Sequence, residues 1–504
     1  MMAHDLESTP TMSLSRLLAG IVAVPRDARV ADITLDSRTA VRGGLFLACR
    51  GLKSHGIEYL DRALAAGVNA VAWEPAAGVA TPTVPEHVVL LAVPDLGRQL
   101  GRIADRFFEA PSMRLRIAGV TGTNGKTTSC WLLAQALDKV GWRGGYSGTL
   151  GFGPVNALKP STHTTPDCIS VHRLLSDLHA MGVRTLGMEV SSHALVQDRV
   201  DAVRFDTAVF TNLTRDHLDF HRTMDAYALA KARLFSLPGL EHRVINMGDI
   251  TGRRIAESLP SSQLVTAFWI GVGDYRQTCD SFVHGRVVRA GSAGLEIEFD
   301  SSWGSGTLRS RLLGEFNAEN LLATLAVLQL WEVPLTQALQ ALGTSTAPAG
   351  RMETFRASGR PVVVVDYAHS PDSLAKALRA ARKHCRGRLW CVFGCGGDRD
   401  PGKRPMMGAV AAELADEIIL TDDNPRTEDP QRIIEQIAAG IDTDVPTRTI
   451  RERARAIATA LGEAAADDIV LIAGKGHEEL QIYGTVAQPF SDRAEVARIL
   501  GAVT

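Results

Sequence analysis

The stretch GVTGTNGKTT, from Gly119 to Thr128, constrains the fold of this chain more than any other part of the sequence. The apolar run LRIA precedes it, and the helix-like run SCWLLAQAL follows it. A strand, a glycine-rich loop and a lysine that opens a helix allow backbone N–H groups and the helix dipole to hold a polyphosphate. The spacing misses the usual G-x-x-x-x-G-K-[ST] pattern by one residue, since Val120 stands where the first glycine is expected. The stretch therefore predicts a nucleotide-binding α/β sheet with an irregular phosphate loop.

The residues of this loop have distinct expected roles. Lys126 is expected to reach the β- and γ-phosphates of ATP, and Thr127 to coordinate Mg²⁺. The other loop residues that are predicted to bind ATP are Gly122, Thr123, Asn124, Gly125 and Thr128. A phosphate-bound Mg²⁺ needs further hard oxygen ligands, and Glu189, at the end of the apolar run RTLGMEV, is expected to provide one.

Length, charge and cysteine content bound the class of protein. A chain of 504 residues suggests about three domains. Lys plus Arg number 54 against 56 for Asp plus Glu, so the charge gives no indication of a nucleic-acid partner. The start, MMAHDLESTPTMSL, lacks the pattern of a secretion signal, and no apolar run is long enough to span a bilayer. Seven scattered cysteines without C-x-x-C pairs indicate a reduced, cytoplasmic compartment.

The hydrophobic patterns predict an α/β protein with three domains, at residues 1–110, 111–347 and 348–504. The first combines the strand-like runs LFLAC, AVAWEP and VVLLAV with one helical pattern, YLDRALAAG. The second is expected to be a P-loop ATPase-type parallel sheet, because RTLGMEV and DTAVFTNL are continuous apolar runs typical of strands covered on both faces.

The last segment is expected to be a Rossmann-like open α/β sheet that begins after a linker, APAGRMETF. Its strand-like runs are PVVVVDYA, RLWCVFG, EIILTDDN and DIVLIAGKG. Helices are expected from about Pro371 and after Pro405. Each strand-like run ends in polar residues, and a sheet of this type places its ligands at the carboxyl ends of its strands.

Nine segments, taken together, carry a family resemblance: GTNGKTT, TTPD, EVSSHAL, NLTRDHLD, AYALAKARLF, GEFNAENLLA, DYAHSPDSL, DNPRTEDP and GKGHE. In this order they resemble the Mur ligases, the ATP-dependent amide-bond-forming enzymes of peptidoglycan precursor synthesis. The chain is most similar to the members that add a diamino acid to UDP-N-acetylmuramoyl-L-alanyl-D-glutamate. The resemblance covers nearly the whole chain, and the shortened phosphate loop of that family is the loop of this sequence.

The resemblance implies a two-step reaction in which ATP phosphorylates the substrate carboxylate and an amine then attacks the acyl phosphate. It implies catalytic roles for Lys126, Lys231 and His217. Lys231 would be carbamylated by CO₂, which turns an ammonium into a carboxylate. Two Mg²⁺ ions are expected, with metal contacts from Thr127, Glu189, His217 and carbamylated Lys231.

The resemblance also implies two sets of substrate contacts. The UDP-muramoyl-dipeptide is expected to contact Leu35, Ser37, Thr164, Thr165, Ser191, Gln197 and Arg199. The segment LKSHG, residues 52–56, does not align with the diphosphate-contacting segment of the family. Further ATP contacts are expected from Asn317, Arg351 and His369. Asn317 and Asn320 lie three apart on one helical face, a spacing suited to a base edge or to orienting a loop.

The last domain is expected to bind the incoming amino acid. Its predicted contacts are Arg399, Asp423, Asn424, Pro425, Arg426, Gly474 and Glu478. A planar guanidinium binds both oxygens of a carboxylate, so Arg426 suits the distal carboxylate of meso-diaminopimelate. Lysine lacks that group and would leave a buried arginine unpaired. In the resembling family, DNPR likewise marks the members that add diaminopimelate.

Three alternatives stay open at this point. A lysine-adding ligase of the same family would differ at Arg426. A folylpolyglutamate-type synthetase shares the phosphate loop, but LDSRTAVRGGLFLACRG in the first domain argues against it. A non-catalytic, nucleotide-gated binding module would not need the metal and acceptor residues. For the ligase, the expected partners are small-molecule substrates only, without nucleic acid or membrane insertion, and the chain is expected to be a monomer.

Overall fold

The computed structural model describes residues 11–51, 54–161, 163–291, 293–442 and 444–501. The start of the chain and Leu52 and Lys53 of the LKSHG segment lie outside the described residues. The chain divides into two compact units. The first unit lies within residues 1–123, 142–209 and 213–243, and the second within 124–141, 210–212 and 244–504.

The elements before residue 111 form a small α/β layer. They are β1 (Met12–Ser13), α1 (Leu14–Leu17), β2 (Arg29–Val30), β3 (Ile33–Thr34), β4 (Leu45–Ala48), α2 (Leu60–Ala65), β5 (Ala70–Trp73), β6 (Val89–Ala92) and α3 (Leu96–Phe107). Strands β3, β4, β5 and β6 pair in that order, and each pair is parallel. The predicted strands and α2 are confirmed, but α3 was not expected; its buried Leu96, Ile103 and Phe107 form part of the core.

The elements from residue 111 to 347 include the strand and the helix that flank the phosphate loop. They are β7 (Arg116–Thr121), α4 (Lys126–Lys139), β8 (Gly144–Gly148), β9 (Gly151–Pro154), α5 (Cys168–Ala180), β10 (Thr185–Glu189), α6 (Ser192–Val196), β11 (Thr207–Phe210), α7 (Leu218–His221), α8 (Met224–Ala232), β12 (His242–Asn246), α9 (Ile250–Ser258), β13 (Val265–Ile270), β14 (Ser281–Gly291), β15 (Gly294–Ser301), β16 (Gly304–Ser310), α10 (Phe316–Leu330) and α11 (Leu335–Gly343). The predicted strand, loop and helix at the phosphate loop are therefore present.

Both parallel and antiparallel pairs occur among these strands. In the first unit β10 lies between β7 and β8, parallel to both, as the continuous apolar runs predicted. In the second unit β13 pairs parallel to β14, but β14, β15 and β16 pair antiparallel. These antiparallel strands were not expected. Their burial alternates along β15, since one face packs inward and the other meets solvent.

The C-terminal elements form an open sheet with helices. They are β17 (Glu353–Phe355), β18 (Val362–Asp366), α12 (Pro371–His384), β19 (Leu389–Phe393), α13 (Lys403–Leu414), β20 (Glu417–Leu420), α14 (Pro430–Ala438), β21 (Thr447–Thr449), α15 (Arg453–Glu463), β22 (Ile469–Ala473), β23 (Leu480–Tyr483), β24 (Val486–Pro489) and α16 (Asp492–Leu500). Four short 3₁₀ helices complete the described chain, at Gly56–Tyr59, Pro111–Arg114, Arg233–Ser236 and Arg276–Thr278.

The C-terminal sheet has the order β17-β18-β22-β19-β20-β21, and only β17 is antiparallel to its neighbour. Successive residues of β18 belong to different apolar clusters, with Val364 in one and Val363 and Val365 in the other, so both faces are covered. The parallel arrangement directs the carboxyl ends of β19, β20 and β22 to one edge.

Two boundary predictions were wrong. Helix α13 begins at Lys403, so Pro405 lies in its first turn, where the missing N–H of proline has no intrahelical acceptor to lose. The predicted linker APAGRMETF ends in strand β17, because Glu353–Phe355 pairs with β18.

Candidate functional site

Glu189, at the carboxyl end of β10, is 1% exposed and its carboxylate accepts hydrogen bonds from neutral groups. The Tyr146 hydroxyl donates to Oε1 at 2.5 Å, and the Thr149 backbone N–H donates to the same oxygen at 3.0 Å. The Thr149 hydroxyl donates to Oε2 at 3.3 Å. In the described part of the first unit, no Lys, Arg or His side chain forms an ion pair with Glu189.

Three of the residues predicted to hold the muramoyl-dipeptide are hydrogen-bonded into one group with Glu189. The Thr164 hydroxyl lies 3.1 Å from that of Thr149. The Thr165 hydroxyl donates to the Glu189 carbonyl at 2.9 Å and accepts from the Ser191 N–H at 3.2 Å. Thus the structure brings two predicted threonines, Ser191 and the predicted metal ligand into one hydrogen-bonded group.

Arg199 and Gln197 belong to the same group. The Arg199 guanidinium donates to the Thr165 carbonyl at 2.8 Å and to Gln197 Oε1 at 2.6 and 3.0 Å. Burial lowers the pKa of Arg199, and Asp167 opposes that shift. Ser191 caps α6, since its hydroxyl accepts from the Ala194 N–H.

Leu35 and Ser37 lie in the loop after β3, apart from the group around Glu189 in sequence but within the first unit. Ser37 is buried and Leu35 is half-buried. The strand before this loop is held by Arg173 of α5, whose guanidinium donates to Asp32 Oδ1 at 2.7 Å and to the Ile33 carbonyl at 2.8 Å.

Lys231, on α8, contacts the first half of the phosphate loop. Its side chain is 1% exposed, and Nζ donates to the Gly122 carbonyl at 2.7 Å. Nζ also lies 4.4 Å from the centre of the Tyr227 ring, a cation–π contact. The Tyr227 hydroxyl is 3.3 Å from the Thr123 hydroxyl. Helix α8 therefore contacts the phosphate loop at two residues, Gly122 and Thr123.

His217 precedes the short helix α7 and has a left-handed backbone with φ of 52°. Its ring is half-exposed, and Nε2 lies 3.6 Å from Asp216 Oδ2. The His193 ring lies edge-on to it at 5.0 Å. His221 stacks on Tyr227 and its Nε2 is 2.8 Å from the Ser192 hydroxyl. His217, which is predicted to be catalytic, therefore lies in a cluster of aromatic rings. Tyr227 belongs to this cluster and also contacts Lys231.

The second half of the phosphate loop belongs to the second unit. The Asn124 N–H donates to Asn212 Oδ1 at 2.9 Å, and the Thr211 hydroxyl donates to the Asn124 carbonyl at 2.6 Å. Lys126 and Thr127 then open α4. The Thr127 side chain is buried.

Gly125 requires a glycine for two reasons. Its φ is 87°, and a Cβ at this position would overlap Asn320 Oδ1. Asn320 accepts from the Ser129 hydroxyl at 3.3 Å and donates to Asn317 Oδ1 at 2.9 Å, while Asn317 donates to the Leu313 carbonyl. Both asparagines of α10 are buried. Of the two interpretations of their spacing, orienting the loop matches these contacts.

Arg351 and His369 meet at Tyr367, which follows β18. The Arg351 guanidinium lies 5.0 Å from the centre of the Tyr367 ring, and the His369 ring lies 4.8 Å from it. Burial raises the pKa of Tyr367; Glu478 acts in the same direction, and Arg351 opposes it. Tyr367 therefore contacts two residues predicted to bind ATP.

The loops after β20 and β22 bring Asn424 and Glu478 together. Asn424 Nδ2 donates to Glu478 Oε2 at 2.8 Å. Lys475, which is 0% exposed, donates from Nζ to Asn424 Oδ1 and Glu478 Oε2, both at 3.1 Å. Asp423 is buried, and Gly474, with φ of 115°, leaves room for its carboxylate, which a Cβ would approach to 2.5 Å.

Arg426 has a left-handed backbone with φ of 52°, directly after buried Pro425. Its Nη1 donates to the Gly397 carbonyl at 2.7 Å. In the described ranges this is the one hydrogen bond of its guanidinium, so Nε and Nη2 remain for a ligand. The side chain of Arg399 is exposed, and a Cβ added at Gly396 would lie 3.8 Å from Arg399 Cγ and 3.0 Å from Arg426 Nη1.

Several residues of these sites were not identified from the sequence. Tyr146 and Thr149 hold Glu189, Tyr227 contacts Lys231, and Lys475 holds Glu478. Tyr146 lies on β8, whose pairing with β10 is not visible in either local sequence. Lys475 was visible within GKGHE, but its burial was not.

The described residues contain no group of three or more His, Cys, Asp or Glu side chains that could hold a metal ion. In the same ranges no helix has both the length and the apolar character needed to cross a bilayer. The seven cysteines, all of them among the described residues, form no disulfide bond.

Comparisons with known proteins agree along the whole chain. Residues 29–108 match the description "Mur ligase family, catalytic domain", residues 120–328 "Mur ligase middle domain", and residues 350–476 "Mur ligase, glutamate ligase domain". The chain is 48% identical to a UDP-N-acetylmuramoyl-L-alanyl-D-glutamate–2,6-diaminopimelate ligase of Alkalilimnicola ehrlichii, over 94% of this chain and 95% of that protein. It is 47% identical to the ligase of the same name from Pseudomonas aeruginosa, over 97% and 98%. A solved structure of a ligase of that name is 34% identical, with a TM-score of 0.72, over 97% of this chain and 99% of that one.

Proposed function

This chain belongs to the Mur ligase family, and from that premise we propose that it adds meso-2,6-diaminopimelate to UDP-N-acetylmuramoyl-L-alanyl-D-glutamate at the expense of ATP. The observation that carries the proposal is the similarity to diaminopimelate ligases along almost the full length of both chains. The product would be a peptidoglycan precursor, and the reaction an amide-bond-forming one that releases ADP and phosphate.

The reaction would proceed through an acyl phosphate. An oxygen of the D-glutamyl side-chain carboxylate attacks the γ-phosphorus of ATP, and the bond to ADP breaks. The amine of diaminopimelate then attacks the acyl carbon, phosphate leaves, and the nitrogen loses a proton. Two anions must approach each other in the first step, so positive charge and exact orientation supply much of the catalysis. Lys126, at the start of α4, suits the charge of the β- and γ-phosphates.

The family implies Mg²⁺, and the donor atoms in this chain fit it. The Thr127 hydroxyl and the Glu189 carboxylate are hard oxygen ligands, and Mg²⁺ typically takes one or two carboxylates while phosphates and waters fill the other positions. The charge of Glu189 has no cationic partner in the described part of the first unit. When bound, Mg²⁺ would neutralise charge on the transferred phosphoryl group. Two ions, as in the sequence prediction, are part of the proposal.

Carbamylation of Lys231 is a second part of the proposal. The neutral amine would form an N–C bond to the carbon of CO₂ and lose a proton, which gives a carboxylate in place of an ammonium. Support comes from its burial and from the 2.7 Å contact of Nζ with the Gly122 carbonyl, next to the loop that would hold ATP. His217, near Tyr227, would orient this end of the site.

A labelling experiment tests the carbamate separately from activity. Carbon-13 NMR of the protein in labelled bicarbonate should show a carbamate signal that is absent from Lys231→Arg. A signal of equal intensity in both proteins would exclude Lys231 as its site. Absence of a signal from the active wild-type protein would exclude a stable carbamate.

Choice of the amino acid would depend on Arg426 and its neighbours. With Nη1 bonded to the Gly397 carbonyl, Nε and Nη2 could bind both oxygens of a distal carboxylate. Glu478, beside Asn424, suits the ammonium group at the same end of the substrate. The remaining predicted contacts, Arg399, Asp423, Pro425 and Gly474, belong to the same three loops and are proposed with them.

The muramoyl-dipeptide would be held in the first unit. Thr164, Thr165, Ser191 and Arg199 form one hydrogen-bonded group with Glu189, which supports a common role. Gln197 completes this group, and Leu35 and Ser37 are proposed for the uridine end. Asn317, Arg351 and His369 are proposed for ATP.

The three-domain division at residues 1–110, 111–347 and 348–504 also remains our proposal. Each of the three family matches lies within one of these segments, which supports it. A cytoplasmic location is proposed from the scattered cysteines, and a monomeric state is a further part of the proposal.

The deciding experiment measures ADP release with UDP-N-acetylmuramoyl-L-alanyl-D-glutamate and either meso-diaminopimelate or L-lysine. We expect release with diaminopimelate only. Release with lysine only would favour the lysine-adding ligase. Release with neither, but with a folate and glutamate, would favour a folylpolyglutamate-type synthetase. ATP binding without release under every condition would favour a non-catalytic binding module.

A further inference from the structure

We propose that Arg404 and Glu428 are a positioning pair that sets the preference for an amino acid with a distal carboxylate. The pair holds together two loops, residues 394–400 after β19 and residues 421–428 after β20, which carry Arg399 and Arg426. The inference deepens the proposed function and rests on it. In this account neither Arg404 nor Glu428 touches the substrate.

The two terminal nitrogens of buried Arg404 donate to four oxygen atoms, while its Nε has no hydrogen-bond partner within the described residues. It lies on α13 with a side chain that is 0% exposed. Nη1 and Nη2 each donate to one oxygen of Glu428 at 2.8 Å, which is the bidentate geometry of a strong arginine–carboxylate pair. Nη1 also donates to Gln436 Oε1 at 2.6 Å, and Nη2 to the Gly396 carbonyl at 3.3 Å. One guanidinium therefore contacts both loops and α14.

Glu428 extends these contacts on the opposite side. Its Oε1 accepts from the Asp398 N–H at 2.6 Å. Asp398 Oδ1 in turn accepts from the Thr427 hydroxyl at 2.6 Å. The Arg404 hydrogen bond lowers the pKa of Glu428 to about 2, so the carboxylate is ionised at neutral pH. Arg404 binds the Gly396 carbonyl of the first loop and Glu428 of the second, so the spacing of the two loops depends on both partners of the ion pair.

The pair is connected to Arg426 through the backbone next to Gly396. Arg426 Nη1 donates to the Gly397 carbonyl at 2.7 Å, and the Gly397 N–H donates to the Asn424 carbonyl at 2.9 Å. Gly397 directly follows the residue whose carbonyl Arg404 binds. Gly397 also leaves no room for a Cβ, which would overlap the Pro425 carbonyl. A shift of the first loop therefore reorients the Arg426 guanidinium.

The same domain offers a matched control pair. Arg448 and Glu463 are joined at 2.8 Å, but their side chains are 39% and 51% exposed. Exposed pairs of this kind contribute little, whereas loss of one partner from a buried pair leaves an uncompensated charge. The two pairs have the same residue types and the same N–O distance, and they differ in burial and in contact with the two loops.

The test compares Glu428→Gln with Glu463→Gln in the full chain. For each protein, kcat and KM are measured for diaminopimelate, ATP and the UDP-muramoyl-dipeptide, together with the ratio of kcat/KM for diaminopimelate and lysine. We expect Glu428→Gln to raise the KM of diaminopimelate by about tenfold and to lower the ratio, because the supporting contacts of a binding residue are lost. The other two KM values and all values of Glu463→Gln should stay near wild type.

Arg404→Lys provides a second variant that keeps the charge but cannot form the bidentate hydrogen bonds to Glu428. Arg404→Lys should also raise the KM of diaminopimelate and lower the ratio of kcat/KM for diaminopimelate and lysine. A fall in kcat alone, in proportion to the folded fraction measured by circular dichroism, would mean a merely structural role and would overturn the inference. Unchanged KM values in both variants would overturn it as well. If the wild-type protein itself releases no ADP with diaminopimelate, the proposed function fails, which is a separate outcome.

Discussion

Two carboxylates in this protein, Glu189 in the first unit and Glu428 in the second, are held in opposite ways. Glu189 is fully buried and accepts hydrogen bonds from the hydroxyl of Tyr146 and from Thr149, all neutral donors. Glu428 is 32% exposed and is paired with the guanidinium of Arg404. The more deeply buried anion is therefore the one without a cation in the described part of its unit.

The two regions therefore differ in how they stabilise a buried charge. A buried anion is costly unless it is paired, and neutral donors stabilise it without cancelling its charge. The region around Glu189 therefore suits a cation that arrives with the substrate. In the second region Arg404, Lys475 and Arg453 all pair with carboxylates of the protein. These pairs fix the loops, while Arg426 keeps donors for a ligand.

The largest expected effect tests the first half of this comparison. Glu189→Gln keeps the shape of the side chain but removes its charge, so a cation at this site would lose a ligand. We expect kcat to fall on the order of 10²- to 10³-fold, comparable to the loss of a transition-state charge contact. The measurement is ADP release at saturating substrates over a range of Mg²⁺ concentrations. Glu463→Gln is the control, and a kcat near wild type for Glu189→Gln would remove Glu189 from the metal site.

The second prediction tests the other region. Arg426→Lys keeps a positive charge but cannot bind two carboxylate oxygens at once. The KM of diaminopimelate should rise about 10- to 100-fold, the effect of losing one charge-assisted hydrogen bond. The KM of ATP should not change. Equal increases for all three substrates would indicate that Arg426 acts on the fold and not on the amino acid.

Local patterns were sufficient to predict the phosphate loop and most strands, because each depends on a short continuous stretch. Long apolar runs gave β10, β19 and β22, and the polar residues that follow them lie in the clusters described above. The sequence patterns failed where pairing is distant. Nothing near Tyr146 indicates that β8 lies beside β10, and Arg404 is separated from Glu428 by 24 residues.

Burial was a second limit of the sequence predictions. The spacing of Asn317 and Asn320 suited a base edge or the orientation of a loop, and only their packed environment favours the second interpretation. Helix α3 was missed although its apolar residues recur with helical spacing. Assigning roles to Lys231 and Arg199 depended on the family resemblance, because an isolated Lys or Arg in a sequence most often belongs to the surface.

The third prediction compares two tyrosines, one in each region. Tyr146→Phe removes a donor from buried Glu189, and we expect it to lower the free energy of unfolding by about 1–3 kcal/mol. Tyr483→Phe removes a donor from Asp422, but Arg451 still donates to the same oxygen at 3.3 Å. Tyr483→Phe should therefore lower the free energy of unfolding by less than Tyr146→Phe does. Urea unfolding followed by circular dichroism measures both, and a larger effect at Tyr483 would reverse the contrast between neutral and cationic support.

The smallest expected effect concerns pH. The pKa of Glu428 falls from its ordinary 4.5 to about 2 in the folded protein, chiefly because Arg404 donates to it. A lowered folded-state pKa adds stability that is present above the unfolded value and is lost as pH falls from about 4.5 toward about 2. Glu428→Gln cannot titrate, so the difference between its urea midpoint and that of the wild type should shrink from pH 5 to pH 3. Since Glu428 is partly exposed, water screens the pair and the change should be modest. If the difference in urea midpoint stays constant from pH 5 to pH 3, the stability that the pair contributes does not depend on the charge of Glu428. Glu428 and Glu189 would then differ in hydrogen-bond geometry and not in how their charge is stabilised.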